Sequence, residues 1–359
     1  MYPSGTGGID TQLRNCVRQI NYPAVSFPRR NLQIPRQFEI LITGFVGLLA
    51  LAIGLWVFFH RKTPKVPISV NYHFSRKCNY ECGFCLHTEK TSDVEPLESA
   101  KRGLAQLKNA GMRKINFAGG KPLLYPKHLG SLIKYCKEDL GVESVSIVTN
   151  GSKLTSTFLT TYGQYINIIA VSCDSFREET NMLIGRGTGA HVGNVARISA
   201  LCREHGIKFK LITVINRFNF DEDINASIAA IKPFRWKCFQ VLVPHDENES
   251  EKRLREARKF LISDDEFNQF CRAHEHNKCF VPEPNNVMKS SYPILDEYMR
   301  FLNKGVGALT KSILEVGVQE ALESAYWDED NFHAREGIYD WERQDGAAPC
   351  SQDKSKLEW

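Results

Sequence analysis

The sequence has no polybasic tract. Its 46 lysines and arginines stand against 41 aspartates and glutamates, a formal charge of only +5 over 359 residues. That balance lacks the electrostatic footprint of a duplex-binding protein, so direct nucleic acid binding is not expected. A local basic pocket for an anionic small molecule remains compatible with it. A disulfide scaffold is missing too. The cysteines number 11, an odd count. Cys136, Cys173, Cys202, Cys238 and Cys271 sit inside apolar or amphipathic runs. This reads as buried thiols in a reducing compartment. There is no internal repeat beyond a β/α unit and no long low-complexity tract. At 42% hydrophobic residues, the chain suits one large domain, alone or with appendages.

One segment lacks charge altogether. Residues 40–59 read ILITGFVGLLALAIGLWVFF. Twenty residues of helix reach about 30 Å, the thickness of a bilayer core. Trp56, Phe58 and Phe59 close the run, and His60, Arg61 and Lys62 follow. An aromatic belt and a cationic stop have that form. The run is long and starts late for a cleaved signal peptide. A buried core helix would need protein on every side. The expected organisation is a disordered segment over 1–39 and a membrane-anchoring helix over 40–62. Arg29, Arg30 and Arg36 on one flank nearly balance Arg61, Lys62 and Lys65 on the other, so charge does not set the orientation.

After a proline-containing linker the pattern turns regular. Strands are expected at 67–74, 114–119, 144–150, 168–174, 208–215 and 236–243. Helices are expected at 97–111, 127–141, 157–165, 191–206 and 223–231. The strands are short and rich in Val and Ile, as in sheets buried on both faces. Six units in alternation predict an α/β fold, a partial (β/α)6 barrel over 66–243. Beyond 243 the strand rhythm stops. Helical patterns at 267–275, 292–303 and 315–325 suggest an α-rich cap over 244–359. In such barrels chemistry collects at the C-terminal strand ends. The notable stretches fall there: CNYECGFC after the first strand, GGKP after the second, TNG after the third, SCDS after the fourth.

CNYECGFC offers three cysteines, Cys78, Cys82 and Cys85. Three thiolates can hold three corners of a [4Fe–4S] cubane and leave the fourth iron open. An open position separates a reactive metal centre from a structural one. Structural zinc is the alternative, with His87 as the fourth ligand.

C-x3-C-x-aromatic-C on the first strand of a partial barrel resembles the radical SAM enzymes. NYHFSRKCNYECGFCLHTEKTS, INFAGGKP, SIVTNGS, SCDSF, LIGRG, VINRFN, RWKCFQ and YPILDEYMRFLN together resemble the viperin family of that superfamily, from about residue 66 to the end. The resemblance implies two cofactors, a [4Fe–4S] cluster and S-adenosyl-L-methionine (SAM), with the open iron chelated by the SAM amine and carboxylate. It implies dehydration of a ribonucleoside triphosphate to its 3′-deoxy-3′,4′-didehydro analogue, an antiviral chain terminator. Cys78, Cys82 and Cys85 would bind the cluster. Phe84, Gly119, Gly120, Asn150, Ser172 and Arg186 would hold SAM, with Arg186 on its carboxylate. Asn71, Lys210, Arg235 and Lys237 would hold the substrate, the three cations on its phosphates. Positions 235 and 237 share a face of an extended segment, and two cations on an inner face call for an anion. Tyr292 would lie over the substrate and donate hydrogen to the product radical. A reductase as electron donor is implied as well.

The chain departs from the family at three places. Lys121 stands where the family has a glutamate that holds the SAM ammonium. A lysine there would repel that ammonium by about 1–4 kcal/mol at short range. Either it points away while another carboxylate substitutes, or SAM affinity falls, or turnover is lost and the protein is a membrane-associated scaffold. Ile212 stands where animal members have asparagine, which opens UTP beside CTP as substrate. The loop 304–310 is shorter and less basic. The chain ends in Leu357, Glu358 and Trp359, which resembles the address read by the cytosolic iron–sulfur assembly machinery. The implied location is a membrane, endoplasmic reticulum or lipid droplet, with the catalytic domain in the cytosol.

Overall fold

A two-residue alternation sends successive side chains of a strand to opposite faces of the sheet. In the computed structural model, which describes residues 36–59, 64–85, 93–243, 255–303, 310–335 and 337–343, β1 (Ser69–His73) shows this directly. Val70 and Tyr72 are fully buried in the core, whereas Ser69, Asn71 and His73 line a cavity. The same division recurs in β2 (Lys114–Ala118), β3 (Ser144–Thr149), β4 (Ile168–Ser172), β5 (Lys208–Ile215) and β6 (Arg235–Gln240). Ile115, Phe117, Val145, Ile147, Ile169, Val171, Leu211 and Trp236 make the apolar face. The sheet is therefore not apolar on both faces as expected: its inner face carries Lys114, Asn116, Ser146, Lys210 and Lys237.

Helices cover the outer face. Five are paired with the strands: α2 (Leu97–Asn109), α3 (Pro126–Glu138), α4 (Ser156–Tyr162), α6 (His191–Glu204) and α7 (Asn225–Ile231). Helix α2 buries Ala100, Leu104 and Leu107, one stripe at helical spacing. Each fully buried leucine of this kind contributes about 1.5–3 kcal/mol. A further helix, α5 (Glu178–Ile184), follows β4 and had no counterpart in the expected elements.

The sheet has eight strands in the order β7-β6-β5-β4-β3-β2-β1-β8, all parallel. The two outermost come from the segment expected to be helical. β7 (Phe280–Glu283) pairs with β6, and β8 (Ile294–Leu295) pairs with β1. The helix expected over 292–303 does not form. Met299 takes a left-handed φ of 59°, and bridges Leu295–Phe301 and Arg300–Ser312 fold the stretch back on itself. The helix expected over 267–275 is α8 (Asp264–His274), closed by a Ser263–Glu266 capping box.

The chain divides into two compact units at Thr63–Pro64. In the first, α1 (Arg36–Phe59) starts inside the stretch expected to be disordered. Leu41, Phe45, Leu48 and Leu51 on it are exposed. Among the described residues no helix is long and apolar enough to cross a membrane; several side chains of 40–59 lie outside them. Residues 1–35, His87, most of the 304–310 loop, and Leu357, Glu358 and Trp359 also lie outside the described residues.

Candidate active site

The inner face of the sheet encloses a cavity of about 690 Å³. Its upper rim is the loop after β1. Cys78, Cys82 and Cys85 all line it, with Cys78 exposed and the other two half-buried. The loop is tied down by main-chain bonds: Glu81 N donates to Gly185 O at 3.0 Å and Gly83 N to Ile184 O at 2.9 Å. Helix α5 and its glycine cap are thus the other wall of the rim. Burial pushes the Cys82 thiol up to about 12, against the opposing pull of Arg186. A thiol so placed ionises only when a metal takes its charge.

Among the described residues no group of three or more His, Cys, Asp or Glu is close enough to hold a single metal ion. Three cysteines on one cavity-lining loop are a donor set for three corners of a [4Fe–4S] cluster.

Gly119 and Gly120 follow β2 at φ of 77° and 39°. Both line the cavity with main chain. A Cβ on Gly119 would strike His73, and one on Gly120 would strike the Lys77 carbonyl. Their glycine character is therefore set first by packing against the loop that carries the cysteines. Arg186 is buried and paired with Asp174, whose other oxygen accepts from Val214 N at 2.9 Å. Burial opposes the Arg186 charge, but Asp174 outweighs it and raises the group above its ordinary value. Phe84 lies 6.0 Å from that guanidinium. Ser172 ends β4 on the cavity, and its carbonyl bonds the His191 ring at 2.8 Å.

The floor of the cavity is basic. In register across the strands, Lys210 pairs with Arg235 and Ile212 with Lys237. Lys114 and Lys210 both donate to the Tyr339 hydroxyl, at 2.8 and 3.5 Å. Burial, then the neighbouring cations, pulls both ammonium groups well below the ordinary lysine value. Lys237 donates to Glu283 and, at 3.0 Å, to the Tyr292 hydroxyl. The Arg335 guanidinium stacks on the Tyr292 ring at 3.6 Å. Burial would raise the Glu283 carboxyl, yet Lys237 and Arg335 outweigh it and hold it below its usual value. The buried Glu283 carboxylate thus faces Lys237 and Arg335, and Lys210 lies within its field. A polyanion in the cavity would supply the missing negative charge.

The structure brings the expected residues to one cavity with one exception. Asn71, Phe84, Gly119, Gly120, Asn150, Ser172, Arg186, Lys210, Lys237 and Tyr292 all line it. Arg235 does not; it lies behind, with its guanidinium 4.5 Å from the Tyr339 ring. Asn71 takes its side-chain amide to Pro293 O at 3.5 Å. Lys121 is fully buried and is not part of the lining. Its ammonium donates to Asn150 Oδ1 and, at 2.6 Å, to Ser152 Oγ. Lys114, Glu283, Arg335 and Tyr339 were not anticipated. Lys114 carried a signal: a lysine opening a strand on the same alternating face as Asn116. The other three come from beyond residue 243, where no periodic pattern aims a side chain inward.

The chain matches the family model described as the Radical SAM superfamily over residues 72–231. It is similar to the S-adenosylmethionine-dependent nucleotide dehydratase RSAD2 of Danio rerio, 50% identical over 299 residues that cover 82% of this chain and 81% of that protein. It is similar to the S-adenosylmethionine-dependent nucleotide dehydratase of Flammeovirga pacifica, 35% identical over 76% of this chain and 96% of that one. Among solved structures, Streptococcus suis SuiB bound to S-adenosylmethionine aligns with a TM-score of 0.56 at 15% identity, over 85% of this chain and 74% of that one. At that identity the likeness speaks for the fold.

Proposed function

Because this chain belongs to the S-adenosylmethionine-dependent nucleotide dehydratases of the radical SAM superfamily, we propose that its substrate is a pyrimidine ribonucleoside triphosphate, CTP or UTP, which it converts to the 3′-deoxy-3′,4′-didehydro analogue. One observation carries this reading: a single cavity has three cysteines at its rim and a cation floor with one carboxylate at its base. Such a cavity can hold a redox cofactor at one end and a polyphosphate at the other.

Cys78, Cys82 and Cys85 would hold the cluster, and the main chain of Gly119 and Gly120 with Ser172 and Arg186 would hold SAM beside it. Together these groups supply one-electron chemistry that removes a substrate hydrogen. The residues of the chain do the positioning. Lys114, Lys210 and Lys237 meet the phosphates and fix the ribose between floor and rim. Arg235 supports them from behind through Tyr339. Asn71, near the middle of the wall, faces the nucleoside. The Tyr292 hydroxyl, held by Lys237, is placed to give hydrogen to the product side. Ile212 presents an apolar group to the same space and favours UTP alongside CTP. Lys121 lies outside the lining, which removes the main argument for a non-catalytic scaffold.

The exposed apolar side chains of α1 support a membrane anchor, at the endoplasmic reticulum or a lipid droplet with the catalytic unit in the cytosol. Leu357, Glu358 and Trp359 would engage the iron–sulfur assembly machinery, and a reductase would supply electrons.

Anaerobically reconstituted protein, incubated with SAM, dithionite and each of the four ribonucleoside triphosphates, tests the reading. 5′-Deoxyadenosine should rise above the substrate-free level with UTP or CTP and not with ATP or GTP. Failure with all four defeats it.

A further inference from the structure

Lys121 has no role in the proposed reaction. Its relative exposure is 0%. It opens the short turn Pro122–Leu124, and its main-chain N–H donates to Lys77 O at 2.6 Å. Its ammonium reaches across to the TNGS stretch after β3, where Asn150 Oδ1 and Ser152 Oγ accept. No carboxylate pairs with it among the described residues. Burial pulls its pKa down to about 7 and Lys153 adds to the fall, while the Cys78 thiol opposes it, so the ammonium carries its charge below that pH.

The contact with Asn150 has a geometric consequence. A side-chain amide can face either way, and its neighbours decide. An ammonium has three donors and no acceptor, so it takes the amide oxygen. Ser152 donates to the same oxygen through its N–H at 3.1 Å and its hydroxyl at 3.0 Å, and together these donors turn the Asn150 NH2 to the cysteine loop. Its two contacts there are Asn79 Oδ1 at 3.2 Å and Cys78 Sγ at 3.9 Å. Asn79 closes the ring by donating to Ser152 Oγ at 3.0 Å. An N–H aimed at a ligating sulfur, backed by a buried positive charge, favours an added electron on the metal centre.

We infer that Lys121 is a positioning residue for the cluster: with Ser152 it holds the Asn150 amide toward Cys78 and, by its charge, raises the reduction potential of a cluster bound through Cys78, Cys82 and Cys85. The inference rests on the cluster assignment made above. The step is one electron passing from a reductant to the cluster, with no proton and no bond broken.

The test is a redox titration of the reconstituted full-length chain without SAM, with dithionite as reductant and the reduced cluster followed by electron paramagnetic resonance. Iron is counted in every sample. Lys121→Gln and Lys121→Met should hold the parental iron yet, at a fixed potential, show about a tenfold lower ratio of reduced to oxidised cluster, 59 mV for a one-electron couple. Lys121→Arg should stay near the parent. Neutral variants that titrate with the parent overturn the inference, and so does an arginine variant that moves as far as the neutral ones. If the Lys121 variants lose iron, Asn150→Ser carries the test. Its cluster should also be harder to reduce, and a parental midpoint there overturns the inference. A parent that holds no iron defeats the assigned function itself, a result distinct from either.

Discussion

Replacing Lys237 by methionine keeps the length of the side chain and removes its charge. In the parent, the Lys237 ammonium and the Glu283 carboxylate face each other at 3% and 0% side-chain exposure. Removing one partner of a buried pair costs about 3–5 kcal/mol, because the other charge is left uncompensated. Here Arg335 remains, with Nη1 3.5 Å from Glu283, so about 2–3 kcal/mol is the expected loss. For a unit of this size that lowers the thermal midpoint by about 4–12 °C. The pH dependence has a definite sign. The Glu283 pKa is depressed in the folded protein, so its contribution is present above the unfolded value and disappears as pH falls through the folded one. Burial pulls Lys237 itself down to about 7 against the pull of Glu283, so the pair is fully charged only below that. The gap between parent and Lys237→Met should therefore be wider near pH 6 than near pH 4. Urea unfolding at both pH values measures it. Lys237→Met/Glu283→Gln should recover most of the loss, a coupling of about 1–3 kcal/mol. If the single variant proves as stable as the double near pH 6, the buried-pair argument is wrong.

Lys210→Ala should raise KM for the nucleotide by roughly 10–150-fold, the weight of about 1.5–3 kcal/mol for one charged hydrogen bond, with SAM affinity measured by calorimetry unchanged. Gly120→Ala forces a side chain onto the Lys77 carbonyl at positive φ, at a cost of about 1–3 kcal/mol; the iron count per chain after reconstitution should fall. Ile212→Asn should move the ratio of 5′-deoxyadenosine released with CTP to that released with UTP upward, by about 2–13-fold for one added polar contact. Ser263→Ala removes the cap of α8 and should lower stability by about 1 kcal/mol in urea unfolding, leaving nucleotide KM as it was.

The β/α core was legible because burial leaves a period in the sequence. β5 is found at Lys208–Ile215, the same bounds as its apolar run, and α2, α3, α6 and β1 to β4 agree within a few residues. The last two strands were hidden for a physical reason. β7 has four residues and β8 two, with Pro282 inside one and Pro293 beside the other. A strand that short cannot display alternation, and only its neighbour in the sheet defines it. The stretch 292–303 carries apolar residues at helical intervals, but Pro293 and the left-handed Met299 break that path.

The site was half legible for a related reason. Lys210 on β5 and Lys237 on β6 announce themselves, since a lysine at an inward position of a buried strand demands an anion; Lys114 on β2 carries the same signal and was passed over. Glu283, Arg335 and Tyr339 make no such demand in sequence, because their positions have meaning only after the sheet has placed Lys237 and Lys114. The two groups also differ in charge logic. Strand cations are fixed by a rigid scaffold and cannot turn away from one another. The later residues partly neutralise them, through one carboxylate and one phenol that accepts from two lysines. The remaining imbalance is what a triphosphate would settle. A floor already neutral would bind it weakly, and a floor with no carboxylate would strain the empty fold. The placement of Glu283 against Lys237 lowers the cost of burying that cation in the unliganded chain while Lys114 and Lys210 keep the cavity floor basic.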